Sequence, residues 1–433
     1  MFDTFKNAWK VEELRKRLLY TLMILVLFRL GCTVTVPFVD TDAMSQMFSQ
    51  SQNMLGYLNM MSGGALSQAA LFALSVQPYI NASIIIQLLT VAIPALEQLQ
   101  KEGREGQRRL QKITRYTGAG IAVVMGIGYY FVMRNSYGAV TYTEGFSGVL
   151  AGIVIVSCFV AGSMLVTWMG ERIDDKGIGN GVSMLIFVGI ISRWSDLIGA
   201  VQGLLLKAAD QPLYYLFLPL LLVMALAVVV FVVILNGAER RIPVKYAQRV
   251  VGRKMYGGQS TYIPIKVNTS GVMPVIFASS LCMIPATIGG FLNLDPVAHP
   301  YWTAFFQTFS STGLVYAVIY AMLIVAFNYF YVAIQYNPVD IAKNLRENNG
   351  AIPGIRGDRP TAEFITRILS KITFIGAVFL VVVAILPIVL GNITGVSIHL
   401  GGTSMLILVG VALDTTRSLE SYMAPRHYKS ILK

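Results

Sequence analysis

Ten apolar windows of bilayer-spanning length recur along the chain, at about residues 18–36, 76–95, 115–134, 149–169, 182–201, 213–235, 270–291, 311–333, 369–390 and 401–417. A hydrocarbon layer about 30 Å thick demands roughly 20 predominantly apolar residues per helical crossing. A soluble core cannot absorb so many such windows. The composition agrees, with 55% apolar and only 13% charged residues, against roughly half and a quarter in soluble domains. The pattern predicts an all-α, multi-span membrane protein of ten transmembrane helices, and the even count puts both termini on one side.

Several chemistries are excluded on the same reading. Cys32, Cys158 and Cys282 lie far apart in apolar runs, so neither a disulfide framework nor a CxxC metal or redox site is supported. His299, His399 and His427 never take the i, i+4 spacing of a zinc-binding helix, and no GxxxxGK[ST] loop is present to hold a nucleotide. No cofactor, metal or catalytic centre is expected, and any energy the protein uses must come from a partner. Lys6, Lys10, Arg15, Lys16 and Arg17 ahead of an apolar run imitate a secretory signal. The run from Leu18 to about Val36 is too long for a signal core and ends without a small-x-small site, so it reads as a retained first span.

Basic residues give the sidedness, because Lys and Arg are held on the cytoplasmic side during insertion. With the N-terminus cytoplasmic, thirty of the 34 Lys and Arg fall in segments on that side. The exceptions, Arg29, Arg134, Arg193 and Lys207, sit in external loops or near external span ends, where long stems can snorkel.

Two cytoplasmic connections are too long and too patterned for simple turns. About 236–268 carries Arg240, Arg241, Lys245, Arg249, Arg253, Lys254 and Lys266 against Glu239 as its single acid. Its alternating Ile242-Pro243-Val244 and Tyr262-Ile263-Pro264-Ile265 pieces around Gly257-Gly258 predict a protruding hairpin. About 335–370 carries Asn337-Pro338-Val339-Asp340, Asn348-Asn349-Gly350 and Ile352-Pro353-Gly354-Ile355-Arg356. Loops that only set topology or attract anionic lipid need a few charges. These read as docking sites for a large partner, acidic protein or ribosomal RNA, given a net charge of +12.

The third and fourth windows carry Gly118, Gly120, Gly126, Gly128, Ala151, Gly152, Ala161 and Gly162, which permit close helix approach, so these helices are expected inside the bundle. Between the first two windows, residues 55–74 are small, weakly apolar and interrupted by Gly63-Gly64. From Ala65 this piece is expected to form a short helix that cannot cross a bilayer and folds back into a protein-walled cavity; an external interfacial loop is the competing reading. Gly177-Ile178-Gly179-Asn180-Gly181 follows no βαβ strand, so a tight hairpin between two helices explains its glycines without a bound phosphate.

The run Trp168-Met169-Gly170-Glu171-Arg172-Ile173 into Gly177-Ile178-Gly179-Asn180-Gly181-Val182-Ser183 resembles one signature of the SecY family, channel subunits of the bacterial protein translocase. Pro78-Tyr79-Ile80-Asn81-Ala82-Ser83-Ile84-Ile85-Ile86-Gln87-Leu88 is similar to the other signature. Ser75 stands where the family usually has Gly, Asp174 where it has a small polar residue, and Gly357 where it commonly has Pro. The likeness extends over essentially the whole chain, through Asn268 to Ser280, Ile352 to Arg356, Gly401-Gly402-Thr403-Ser404 and Arg426-His427-Tyr428.

The resemblance implies two inverted halves, here about 1–201 and 202–433, around a central pore for unfolded polypeptide. Carried over by motif position, an apolar pore ring comprises Val76, Ile80, Ile84, Ile186, Ile190, Ile276 and Ile407. The spacing of Val76, Ile80 and Ile84, and of Ile186 and Ile190, places each set on one helical stripe, an arrangement more often lipid-facing or packed than pore-lining in membrane helices at large. A plug at about 61–74 includes Gly63, Gly64, Ala65, Leu66, Ser67, Ala69 and Ala70. A lateral gate for signal sequences and membrane segments opens between the second and third and the seventh and eighth spans, with Gln87, Ser279 and Ser280 as polar gate positions that ordinary interhelical hydrogen bonding explains equally well. Arg240, Arg241, Lys245 and Arg356 fall in the loops that dock the ATPase SecA or a ribosome. The resemblance also implies partnership with SecE and SecG, contact with membrane lipid, and a place in the bacterial cytoplasmic membrane.

An ion-coupled secondary transporter shares the span count and inverted repeats, but needs ionisable groups near the midplane. Arg29 and Asp414 are the charges nearest a span interior, each within reach of an end. An intramembrane protease would need paired Asp, a Ser/His pair or a zinc-binding helix at depth, and the spans offer none.

Overall fold

Proline and glycine punctuation divides the apolar windows into the helices seen in the computed structural model, which describes residues 9–44, 59, 62–192, 198–199, 201–202, 205, 213–246, 249–251, 254–256, 260–292, 300–308, 313–355, 357–394 and 402–431. The first helices in chain order are α1 (Glu12–Gly31), α2 (Gln77–Ala92), α3 (Pro94–Lys101), α4 (Arg104–Tyr137), α5 (Gly145–Lys176) and α6 (Gly181–Ser192). They are followed by α7 (Leu213–Gly237), α8 (Met273–Leu292), α9 (Pro300–Thr308), α10 (Leu314–Gln335), α11 (Pro338–Glu347), α12 (Asp358–Thr394) and α13 (Gly402–Ile431).

Among the described residues, Arg104–Arg134, Gly145–Lys176, Val315–Glu347 and Arg359–Leu386 are each long and apolar enough to cross a membrane. The pair α2 and α3, bent by 102°, makes a fifth if counted as one span. Its break lies at Ile93-Pro94. Ile93 is extended, as a residue before proline prefers, and Pro94 has no N–H to continue the ladder.

The small residues do bring helices together. Gly118 of α4 sits against the α2 backbone at Tyr79, and Gly126 against Val156 of α5. Burial is one-sided, however: Val123, Val124, Ile127 and Phe131 of α4 and Val149, Leu150 and Ile153 of α5 remain exposed. That is the pattern of helices with one packed and one apolar outer face, in place of the interior helices expected.

The segment after Ser62 corrects another expectation. Residues 62–76 form successive turns, with no helix from Ala65. Positive φ at Gly63, Gly64, Ala69 and Ser75 interrupts any right-handed turn. The backbone pairs instead with the chain leaving α1, the Val36 N–H donating to the Ala69 carbonyl at 3.0 Å and the Leu71 N–H to the Val34 carbonyl at 2.8 Å.

The predicted hairpin is present. Strands β1 (Glu239–Tyr246) and β4 (Ser260–Lys266) pair antiparallel, with Ile242 opposite Ile263, and a smaller ladder joins β2 (Arg249–Val251) to β3 (Lys254–Tyr256). The alternation of β1 puts Ile242 and Val244 inward and Arg241, Pro243 and Lys245 outward. The second long loop joins the same sheet: β5 (Gly350–Ala351) pairs with β1 through Lys245 and Tyr246, giving the order β4-β1-β5. Beneath it, Ile242, Val244, Ile265, Leu345, Ile352 and Ile365 share one buried cluster, so the described parts of the two loops pack on a common core. Asn337 caps α11, its side-chain oxygen accepting from the Val339 N–H at 3.1 Å.

Candidate functional site

The apolar stripes of α2 and α6 converge on the same interior as α8 and α13. Val76, Ile80, Ile84, Ile186, Ile190, Ile276 and Ile407 are all buried and belong to one apolar cluster, which also takes in Ala65, Ala70 and Phe72 from the turn segment. A second cluster, between α4 and α5, takes Leu66, Ala69, Ala73 and Leu74 from the same segment. The segment thus alternates its small side chains between two cores. Ser67 is part-buried; its N–H donates to the Asn59 side chain at 2.9 Å and its hydroxyl to the Gly64 carbonyl at 2.9 Å.

Each wall of the segment is close. The Phe28 and Phe72 rings stack with centroids 5.8 Å apart, and Gly31 of α1 lies directly against the Phe72 ring. Gly162 of α5 lies directly against the Leu71 carbonyl. A Cβ on Gly63 would come 3.1 Å from Gly189 Cα, in a backbone conformation (φ +68°) that disfavours side chains in any case.

Arg29 behaves differently from the snorkelling cation expected. Its Nη1 donates to the Gly63 carbonyl at 2.7 Å, and Ser192 of α6 donates to the same oxygen at 3.5 Å. A lone cation near a span interior is a functional signal in its own right, and that signal was available in the sequence. At the other end of the segment, Ser163 of α5 donates to the Ser75 carbonyl at 3.1 Å.

The gate positions separate. Gln87 is part-buried, and Ser279, buried, donates to the Ile276 carbonyl of its own helix at 2.8 Å. Ser280 reaches across, accepting from Gln77 Nε2 of α2 at 3.3 Å in a buried contact. Elsewhere Thr415 of α13 touches Met184 Sδ of α6 at 3.7 Å while its hydroxyl donates to the Val411 carbonyl of its own helix at 2.7 Å. Gln77, Thr415 and Met184 carry no local pattern that marks them, since their partners are hundreds of residues away.

The glycine-rich turn between α5 and α6 is held by side chains of this chain. Asp174 accepts from the Gly181 N–H at 2.7 Å, and Thr21 of α1 from the Ile178 N–H at 3.2 Å. The Asp174 carboxylate thereby satisfies an N–H at the start of α6 that no intrahelical carbonyl can reach. Arg115 and Glu171 form an ion pair between α4 and α5.

On the sheet, Arg240, Arg241 and Lys245 are exposed. Arg241 bonds Glu239 at 2.7 Å and lies 4.6 Å over the Tyr262 ring. The hydrogen bond to Glu239 pushes the Arg241 pKa further above its ordinary value, so this group stays cationic. Arg356 lies outside the described residues.

The structure thus presents a buried apolar cluster shared by α2, α6, α8 and α13 and by the turn segment. Comparison with known proteins supplies the family. The SecY family model matches residues 70–416. Protein translocase subunit SecY of Streptomyces galbus is 40% identical, with all of both chains covered. The subunit from Thermus thermophilus is 40% identical over all of this chain and 98% of its own. Among solved structures, a protein-conducting channel superposes with a TM-score of 0.63 at 18% identity, covering 94% of this chain and 92% of that one. Sec61 in the canine ribosome-channel complex from the endoplasmic reticulum gives 0.60 at 16%, with the same coverage. These structures share the fold, and the full-length sequence identity carries the family: the chain belongs to the SecY family and is a multi-pass, protein-conducting translocation channel rather than an enzyme or an ion-coupled transporter.

Proposed function

We propose that the chain forms a passive pore of ten transmembrane helices in two inverted halves, 1–201 and 202–433, set in a bacterial cytoplasmic membrane with both termini cytoplasmic. Val76, Ile80, Ile84, Ile186, Ile190, Ile276 and Ile407 form the constriction. Water and ions crossing it lose hydration that apolar side chains cannot replace, whereas an extended polypeptide brings its own atoms to fill the ring. Residues about 61–74 act as the plug, weakly held and displaced when a substrate enters.

The side exit lies between the second and third spans on one side and the seventh and eighth on the other, with Gln87, Ser279 and Ser280 as gate positions; the bond of Ser280 with Gln77 joins α8 to α2 there. The sheet carrying Arg240, Arg241 and Lys245, together with Arg356, docks the motor: SecA or a translating ribosome. SecE and SecG complete the assembly. The observation that carries this reading is the membership of all seven ring residues and the plug residues Ala65 and Ala70 in one buried cluster. A photocrosslinking residue at Ile80 or Ile276 should capture a stalled secretory chain, while one at lipid-facing Val124 should not. Equal capture at both kinds of position would overturn the assignment.

A further inference from the structure

Where the plug segment joins α2, the chain carries a mostly apolar pocket with a few polar side chains that the sealing mechanism does not use. One cavity is lined by Ser75 and Gln77 at the segment's end, by Tyr129 of α4, and by apolar neighbours including Leu66 and Met125. Ser75 is 4% exposed, Gln77 5% and Tyr129 3%. Ser75 Oγ, Gln77 Oε1 and the Tyr129 hydroxyl are each buried without a hydrogen-bonding partner among the described residues.

The surrounding bonds explain why these atoms cannot pair elsewhere. The Gln77 amide is directed by its Nε2, which donates to Ser280. Ser75 is fixed at φ +48°, and its carbonyl is held by Ser163. Buried polar atoms without a partner are costly and rare in native proteins, and a polar cavity with two to four such groups is where an internal water is found.

We infer that one bound water molecule is a structural part of this junction, accepting from the Tyr129 hydroxyl and donating to Gln77 Oε1 and Ser75 Oγ. Three partners is the usual complement of a buried water. The site stands on its own geometry; its consequence for gating rests on reading residues about 61–74 as a plug. A hinge whose polar groups are bonded to water exchanges one water for others when the cavity opens, so these groups resist displacement less than direct protein bonds would.

The test uses the full-length chain with its co-purifying subunits in lipid nanodiscs. An electron cryomicroscopy map that resolves buried waters elsewhere should show one within hydrogen-bonding distance of all three atoms, and Tyr129→Phe should weaken it. Amide exchange across residues 73–77 should quicken roughly three- to tenfold in that variant. Ser75→Gly, which removes the hydroxyl and accepts the positive φ, should lose the water as well and serves if Tyr129→Phe folds poorly. A cavity without water density in the wild type, or unchanged exchange in both variants, overturns the inference. Idle ion conductance separates the two readings: a confirmed water with variant conductance at the wild-type level removes its gating role and leaves the site.

Discussion

The Arg29 guanidinium, in the last turn of α1, donates to the Gly63 carbonyl at 2.7 Å, tying the first helix to the head of the turn segment across 34 residues of chain. A Cβ on Gly63 would come 3.1 Å from Gly189 Cα of α6, so this carbonyl lies where the segment, α1 and α6 meet. A hydrogen bond from a charged donor contributes about 1.5–3 kcal/mol, and partial exposure of Arg29 puts this one at the lower end of that range. Arg29→Ala should raise the displaced population of the segment roughly five- to thirtyfold. Single-channel recording in planar bilayers checks this: more frequent idle openings are expected, with Arg29→Lys intermediate. Wild-type idle conductance in Arg29→Ala would remove the latch.

Gly162 offers a steric counterpart. It leaves no room for a Cβ because the Leu71 carbonyl lies directly against it. Gly162→Ala should force the segment outward at a cost of about 1–3 kcal/mol. A lower midpoint of thermal unfolding together with leak is the expected result. A variant as stable and as tight as wild type would show that the segment moves aside freely.

Polarity rather than volume should control the seal. Ile80→Ala and Ile80→Ser remove similar volume from a buried site, but only Ser presents a hydroxyl to water. If the ring seals by dewetting, Ile80→Ser and Ile276→Ser should leak more than the matching Ala variants, as read by ion flux from proteoliposomes. Equal leak within each pair would point to packing instead.

Charge reversal on the sheet tests docking. Arg240 and Lys245 are exposed, so Arg240→Glu with Lys245→Glu should change folding stability by no more than about 0.5 kcal/mol. The same pair should weaken binding of SecA or ribosomes, with the wild-type interaction itself falling as salt rises. Because Glu239 holds the Arg241 pKa further up, the contribution of Arg241 should not vary between pH 6 and pH 9. Unaltered affinity in the double variant would move the docking surface elsewhere.

The mostly helical, membrane-spanning character was legible in the chain alone, because a bilayer rewards each span locally; among the described residues four helices, or five with the bent pair α2 and α3, are long and apolar enough to cross, and the bend at Ile93-Pro94 falls inside a window read as continuous. The inward alternation of Ile242 and Val244 was readable for the same reason, since period-2 burial needs no knowledge of the partner strand. The stripe Val76, Ile80 and Ile84 could be placed on one helical face, but whether that face met lipid or protein depended on α6, α8 and α13. The sequence predicts a helix from Ala65, where the structure has successive turns. The segment's backbone bonds go to Val34 and Val36, and small residues have no strong preference that could resist such pairing. The bonds Arg29 to Gly63 and Gln77 to Ser280, the contact of Thr415 with Met184, and the joining of β5 to β1 were decided by tertiary structure. Each links residues far apart in the chain, and directional contacts of that kind exist only once packing has fixed both partners.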